Sequence, residues 1–266
     1  MPNDQDTQYA VVTGASSGIG FELARQFAEH GYDLLVTAED DGIAAAAERL
    51  QSLGAKVEHV QTDLATPDGV ETLYQRIKAS GRPVDAIALN AGVGVGGPFV
   101  ENALEDELNL IALNVTSVVH LSKLVIQDMV ARNEGRILYT ASIAAEAPAP
   151  YEAVYGASKA FVLSFATALR DELRNTKITI TSLQPGATET NFFHRADMDD
   201  TKVGTMKKSD PADVAREGFE ALMAGKDHVV AAMAMEKAQV VLGQVMPETT
   251  KAAQHRKLAE PGSANP

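Results

Sequence analysis

The sequence predicts an α/β fold: one doubly wound parallel β-sheet of about seven strands, with helices on both faces. Three observations carry this. Short β-rich runs alternate with longer stretches of helical periodicity along most of the 266 residues. Most of the β-rich runs are continuously apolar, which suits strands covered on both faces. No Pro-, Gly- or Ser-rich linker divides the chain, so residues 1–266 read as a single domain with a polar C-terminal tail over 247–266.

The elements follow in order. The first strand is predicted at Tyr9–Thr13, and Ile19, Leu23 and Phe27 recur every four residues behind it, marking a helix that stops at Gly31. A second strand at residues 33–37 leads through Asp40 and Asp41 into a helix over 43–53, closed by Gly54. Strands at 56–61 and 84–90 bracket a helix at 68–80. A long helix over 104–131 precedes a strand at 136–140, and a helix over 153–176 precedes a strand at 179–184. A helix over 211–224 and a strand at 228–230 complete the series. Such repeated βα units imply parallel pairing through right-handed crossovers. The tail from about Pro247 is expected to fray, or to pack on a neighbouring subunit.

Composition narrows the function. With 36 Asp+Glu against 23 Lys+Arg the formal net charge is −13, which argues against nucleic-acid and anionic-membrane partners. The absence of cysteine excludes disulfides, thiolate metal centres and a thiol nucleophile, and no metal site is expected. The polar start, Met1 to Gln8, lacks the basic and apolar regions of a secretory signal. The densest apolar stretch, residues 108–126, is interrupted by Asn109, Asn114, His120 and Lys123, so no membrane span is expected and a cytoplasmic location is.

The first strand runs straight into Gly14, Ala15, Ser16, Ser17, Gly18, Ile19 and Gly20, and then into a helix. Glycines there let the backbone turn sharply and approach a pyrophosphate, while the helix N-terminus offers free N–H groups and a positive dipole end. Glu39, Asp40 and Asp41 follow the second strand, Glu39 about twenty residues beyond Gly20. A carboxylate at Glu39 can accept bonds from the ribose hydroxyls of NAD and would repel the 2′-phosphate of NADP. Neither this loop nor the glycine turn contains Arg or Lys, the usual phosphate partners. NAD is therefore expected over NADP, although Asp40 or Asp41 can also serve simply as a helix cap.

With these residues in place, the chain resembles the short-chain dehydrogenase/reductase family over roughly residues 8 to 230. The glycine turn matches the family's cofactor turn, and Asp63 and Leu64 follow the third strand where the family has an Asp near the adenine. Asn90, Ala91 and Gly92 end the fourth strand as Asn-Ala-Gly. Asn114 sits on the next helix, Ser142 follows the fifth strand, and Tyr155 and Lys159 match Tyr-x-x-x-Lys. Pro185 and Gly186 end the sixth strand, with Thr188 and Thr190 beyond, Thr190 where the family has a Thr contacting the nicotinamide amide. Two departures stand out: Leu89 replaces the first Asn of the frequent Asn-Asn-Ala-Gly, and Ala38 stands where many NAD-using members have Asp.

The resemblance implies a Rossmann-type oxidoreductase that transfers hydride between NAD(P) and a carbonyl or secondary alcohol. A carbonyl that accepts hydride needs a proton on its oxygen. Tyrosine is a weak acid near neutrality, with a usual pKa of about 10. Lys159, one helical turn from Tyr155, is expected to stabilise the phenolate and lower that value. Ser142 would donate to the substrate oxygen, and Asn114 would hold a water that relays protons to Lys159. Tyr151 lacks a lysine four residues on and reads as pocket wall or helix start, while Tyr139 reads as core. Competing readings are a non-catalytic dinucleotide-binding regulator on the same fold, or an isomerase or dehydratase.

The resemblance implies that residues 187–210, with Phe192, Phe193, His194, Met198 and Met206, form a mobile lid over a small carbonyl or alcohol substrate, and their apolar character suits an aromatic or aliphatic one. The two phenylalanines can equally pack the lid onto the core. Gly94, Gly96 and Gly97 suggest a flexible loop at the pocket mouth, and Glu146 could face the substrate. The helices around Leu108 to Val125 and Phe161 to Leu169 are apolar over more than one face. With the resemblance, this implies a homodimer or homotetramer.

Overall fold

A computed structural model of the chain describes residues 7–243 and 245–264. The N-terminal residues 1–6, read above for a signal, and residues 244, 265 and 266 lie outside the described part. Strands β1 (Tyr9–Thr13), β2 (Asp33–Ala38), β3 (Val57–Gln61), β4 (Ala86–Leu89), β5 (Gly135–Thr140), β6 (Ile178–Pro185) and β7 (His228–Ala231) form one sheet in the order β3-β2-β1-β4-β5-β6-β7. Every pairing is parallel, so the expected doubly wound sheet is present, with its reversal of strand order between β1 and β4.

Period-two alternation sorts the strands into two cores. Ala10 and Val12 of β1, Leu34 and Val36 of β2 and Leu138 of β5 face α1 (Gly18–Glu29), α2 (Gly42–Gln51) and α9 (Pro211–Met223), where Phe27 and Phe219 meet edge to face at 5.2 Å. Tyr9, Val11, Leu35, Ile87 and Tyr139 face the opposite layer of α3 (Pro67–Ala79), α5 (Ser117–Arg132) and α6 (Ala153–Glu172). Burying a side chain such as Leu73 or Phe27 stabilises the fold by about 1.5–3 kcal/mol. Thr66 and Asp210 cap α3 and α9 through Gly69 N and Ala212 N, each with proline in the first turn.

Several local expectations change. The single helix expected over 104–131 is α4 (Leu104–Ile111) and α5, joined by a π turn at Ala112–Thr116 that carries Asn114. The continuous run Leu104–Arg132 spans 29 residues with a window of mean hydropathy 1.5, long and apolar enough to cross a membrane by length and composition. Leu121, Val125 and Met129 are instead buried on the sheet and Leu110 is buried as well, while Asp128 accepts bonds from Tyr74 and Lys78 of α3, marking a core helix. The cap expected of Asp40 or Asp41 falls to Asp40, whose Oδ1 accepts from Gly42 N at 3.0 Å.

Beyond β6 the chain forms short helices α7 (Phe192–Arg195) and α8 (Lys202–Thr205), and after β7 it forms α10 (Ala234–Gly243) and α11 (Glu248–Ala259). The tail expected to fray or to dock on another subunit folds back on its own chain. Ala259 is buried, Gly262 N and Ala264 N bond Asp200, and Lys202 N donates to Ser263. Its polar residues reach partners that lie far away in sequence, which helical periodicity alone cannot reveal.

Candidate active site

The site lies at the C-terminal ends of the strands, where strand order reverses. Gly14 takes φ +65°, and a Cβ on it would lie 2.9 Å from Ala91 Cα, so the turn after β1 touches the turn after β4. Asn90 ties the two. Its Nδ2 donates to the carbonyls of Thr13 (3.2 Å) and Gly14 (3.4 Å), and Thr13 Oγ1 accepts from Asn90 N (2.9 Å) and Ala91 N (3.0 Å). A Cβ on Gly20 would sit 2.0 Å from Gly14 O and 2.5 Å from Asn90 Nδ2. Ser17 starts α1 without a side-chain cap, and its first turn carries no acid, leaving N–H groups and the positive dipole end available to an anion.

A cavity of about 700 Å³ opens over this turn. Every sequence-expected site residue lines it except Asp63 and Asn114. Thr62 and Leu64 reach the cavity, while the carboxylate of Asp63 turns aside to accept from Ala65 N at 2.8 Å, holding the local turn. Asn114 is buried one layer behind: Oδ1 accepts from Val93 N (3.0 Å), and Nδ2 donates to Val93 O (2.9 Å) and Ser158 Oγ (3.1 Å). Its side chain therefore ties the π turn to Val93 and to Ser158 of α6.

At the other end stand Ser142, Tyr155 and Lys159. The pair on α6 is buried, with Lys159 Nζ 5.8 Å from the Tyr155 ring centroid and donating to Thr140 O at 3.0 Å. Burial pushes the Lys159 ammonium down to about 8. The sequence predicts a phenol lowered by Lys159, and in this structure the opposite holds. Burial raises Tyr155 well above the usual tyrosine range, and the nearby Glu152 adds to this, while a hydrogen bond with Ser142 acts the other way. Lys159 gives its bond to Thr140 O rather than to the phenol.

At the far side of the glycine turn the three acids divide. Asp40 bonds Ser16 Oγ at 2.8 Å as well as capping α2, and Asp41 is not among the cavity-lining residues. Glu39 faces the cavity, and its carboxylate accepts from Arg195 of α7. The local sequence holds no basic residue here, yet the tertiary fold brings one from 156 positions away.

The lid region is packed more tightly than a flexible loop. Phe193 and Met198 form its small core, and Phe192 reaches into the cavity with its ring 5.1 Å from that of Tyr155. Cβ atoms on Gly94 and Gly96 would each lie 2.5 Å from Phe192 and Met198, so these glycines serve close approach rather than mobility. Tyr151 takes φ +66°, and its hydroxyl donates to Glu260 at 3.0 Å; Tyr139 is fully buried against Ser122. Glu146 lines the cavity and accepts from Gln184 at 2.5 Å, and His194 is exposed against Asp199.

Four participants are absent from the sequence reading. Glu236 is buried beside Gly186 and accepts from Ala187 N and Met233 N, both at 2.9 Å. Glu152, His255 and Arg195 also face the cavity. None forms a local motif: Glu152 is the N-cap residue of α6, and the other three arrive by long-range packing of α7, α10 or α11.

A family model for short chain dehydrogenases matches residues 8–201. The chain is 33% identical over 201 residues to the NADP-dependent 3-hydroxy acid dehydrogenase YdfG of Salmonella typhi, covering 73% of this chain and 79% of that one. Among solved structures it resembles a short-chain dehydrogenase from Sphingobium yanoikuyae in complex with NADPH, at TM-score 0.79 and 29% identity over 90% of this chain and 96% of that one. It also resembles a short chain dehydrogenase/reductase from Burkholderia phymatum in complex with NAD, at TM-score 0.80 and 27% identity over 90% and 94% of the two chains.

Proposed function

The chain belongs to the short-chain dehydrogenase/reductase family, and on that premise we propose how its residues divide the chemistry. It is an NAD(P)-dependent oxidoreductase of the alcohol dehydrogenase/ketoreductase type, acting on a small-molecule carbonyl or secondary alcohol. The regulator and isomerase readings are not favoured. The observation that carries the assignment of roles is the meeting of Ser142, Tyr155 and Lys159 in the same cavity as the uncapped glycine turn.

The cradle fits a dinucleotide, since the glycine turn and the uncapped start of α1 line the cavity, and Gly14 and Gly20 let that turn close against Asn90 and Ala91. When bound, the nicotinamide supplies or accepts the hydride. In reduction Tyr155 donates its proton to the carbonyl oxygen, and Ser142 donates a hydrogen bond to the same oxygen as charge develops there. Lys159, held near 8, can give and regain a proton close to neutral pH. With the Asn114 side chain engaged, its part in proton relay falls to its backbone, which lies in a π turn rather than in regular α-helix. Thr188, Thr190, Pro185 and Gly186 would hold the nicotinamide end, Leu64 the adenine end, and Ala91 the floor between them, while Asp63 supports the turn beside Leu64 through Ala65 N.

We further propose that NAD(H) is preferred, because Glu39 can accept from ribose hydroxyls and repels a 2′-phosphate. Arg195 cancels part of that repulsion and keeps the preference modest. The substrate end, walled by Phe192, Met206, Val240, Leu242 and Met246, suits an apolar aliphatic or aromatic compound. Exposed Leu104, Leu108 and Ile111 on α4, Val119 on α5 and Phe161 on α6 support a homodimer or homotetramer, and a cytoplasmic location remains part of this reading.

Two measurements test this. Tyr155→Phe abolishes ketone reduction while leaving NADH affinity unchanged; retained turnover removes the assigned acid. Parallel fluorescence titrations with NADH and NADPH give the lower Kd for NADH, and tighter NADPH binding overturns the role of Glu39.

A further inference from the structure

The C-terminal helix α11 places an imidazole beside the catalytic tyrosine's own helix. His255 Nε2 lies 3.1 Å from Glu152 Oε2, and the two side chains are 19% and 7% exposed. Glu152 is the N-cap residue of α6, three positions before Tyr155, and all three groups line the same cavity. A carboxylate held this deep exerts its charge with little screening.

We propose that Glu152 and His255 are positioning residues that act through Tyr155: the carboxylate holds the phenol in its protonated, donor form, and His255 moderates that charge. The inference rests on Tyr155 as the acid. It is supported by the upward push that Glu152 exerts on the phenol. The remaining charged groups nearby are otherwise engaged. Lys159 bonds Thr140 O, and Lys251 of α11 bonds Glu248 and Glu146 O. Glu146 is held by Gln184, and Arg256 and Glu260 lie against Tyr151. His255 is thus the group that α11 presents to Glu152.

The test is the titration of Tyr155 itself, read by NMR in protein carrying ¹³C at tyrosine Cζ, saturated with NAD⁺, with the signal assigned by Tyr155→Phe. Glu152→Gln lowers the midpoint by about half a pH unit or more. His255→Ala raises it, because the carboxylate loses its partner, and His255→Gln, which keeps a donor, restores it. In the Glu152→Gln background His255→Ala has no effect. Unchanged NAD⁺ affinity and circular dichroism show that each variant is folded. A Glu152→Gln variant whose Tyr155 signal titrates as in the wild type overturns the proposal, as does a His255→Ala shift that persists without Glu152. The NMR midpoint does not depend on turnover, so failure of the acid assignment, seen as activity retained in Tyr155→Phe, is a separate result.

Discussion

Replacing Lys159 with methionine should make the protein more stable while removing its activity. Lys159 is 5% exposed, and its ammonium is pushed down from 10.5 to about 8 by burial. The folded value lies below the unfolded one, so between about pH 8 and 10.5 the unfolded chain binds more protons and wild-type stability rises with pH. Below that window the buried ammonium opposes folding by about 3 kcal/mol. Methionine removes this penalty and gives up the bond to Thr140 O, worth about 1 kcal/mol. The net gain at pH 7 is about 2 kcal/mol, or roughly 4–8 °C in Tm for a chain of this size. By pH 9.5 about 2 kcal/mol of the penalty has gone, and the two proteins should unfold alike. Urea unfolding of both proteins at pH 7 and 9.5, without added cofactor, reads this directly. A variant less stable than wild type at pH 7, or a gap that does not narrow at pH 9.5, refutes burial of a charged lysine as the source of the shift.

Two further outcomes follow from contacts in the structure. Gly20→Ala puts a methyl group 2.0 Å from Gly14 O, which neither α1 nor the first turn can relieve, and should cost about 2 kcal/mol or more in stability and at least about tenfold in NADH affinity; normal affinity would show that the turn does not cradle the cofactor. Phe161→Glu places a charge on an exposed apolar patch of α6, and light scattering should then report a smaller species than wild type; an unchanged mass would remove this face from the proposed subunit contact.

Much of the site was legible because its chemistry is local. The glycine turn, Asn90 to Gly92, and the Tyr155 and Lys159 pair each occupy one short segment, and helical spacing places the last two on one face. Asp63 shows the limit: position alone could not reveal that Ala65 N captures its carboxylate. Asn114 shows another, since position alone could not reveal that Val93 and Ser158 engage its side chain. The glycines at 94 and 96 read as flexible in sequence, and only the packed Phe192 and Met198 show why they are small.

By itself the sequence determined the strand and helix succession, the parallel sheet and the glycine turn after the first strand, and its resemblance to a family pointed to Ser142, Tyr155 and Lys159. The elements and the turn are set by periodicity and by backbone freedom over a few residues. The tertiary structure decided what surrounds them. It brings Arg195 to Glu39, Glu236 to Ala187, and His255 to Glu152, contacts that span 156, 49 and 103 positions. It also decides the protonation of Tyr155 and Lys159, because desolvation depends on every element that covers a group and not on its neighbours in the chain.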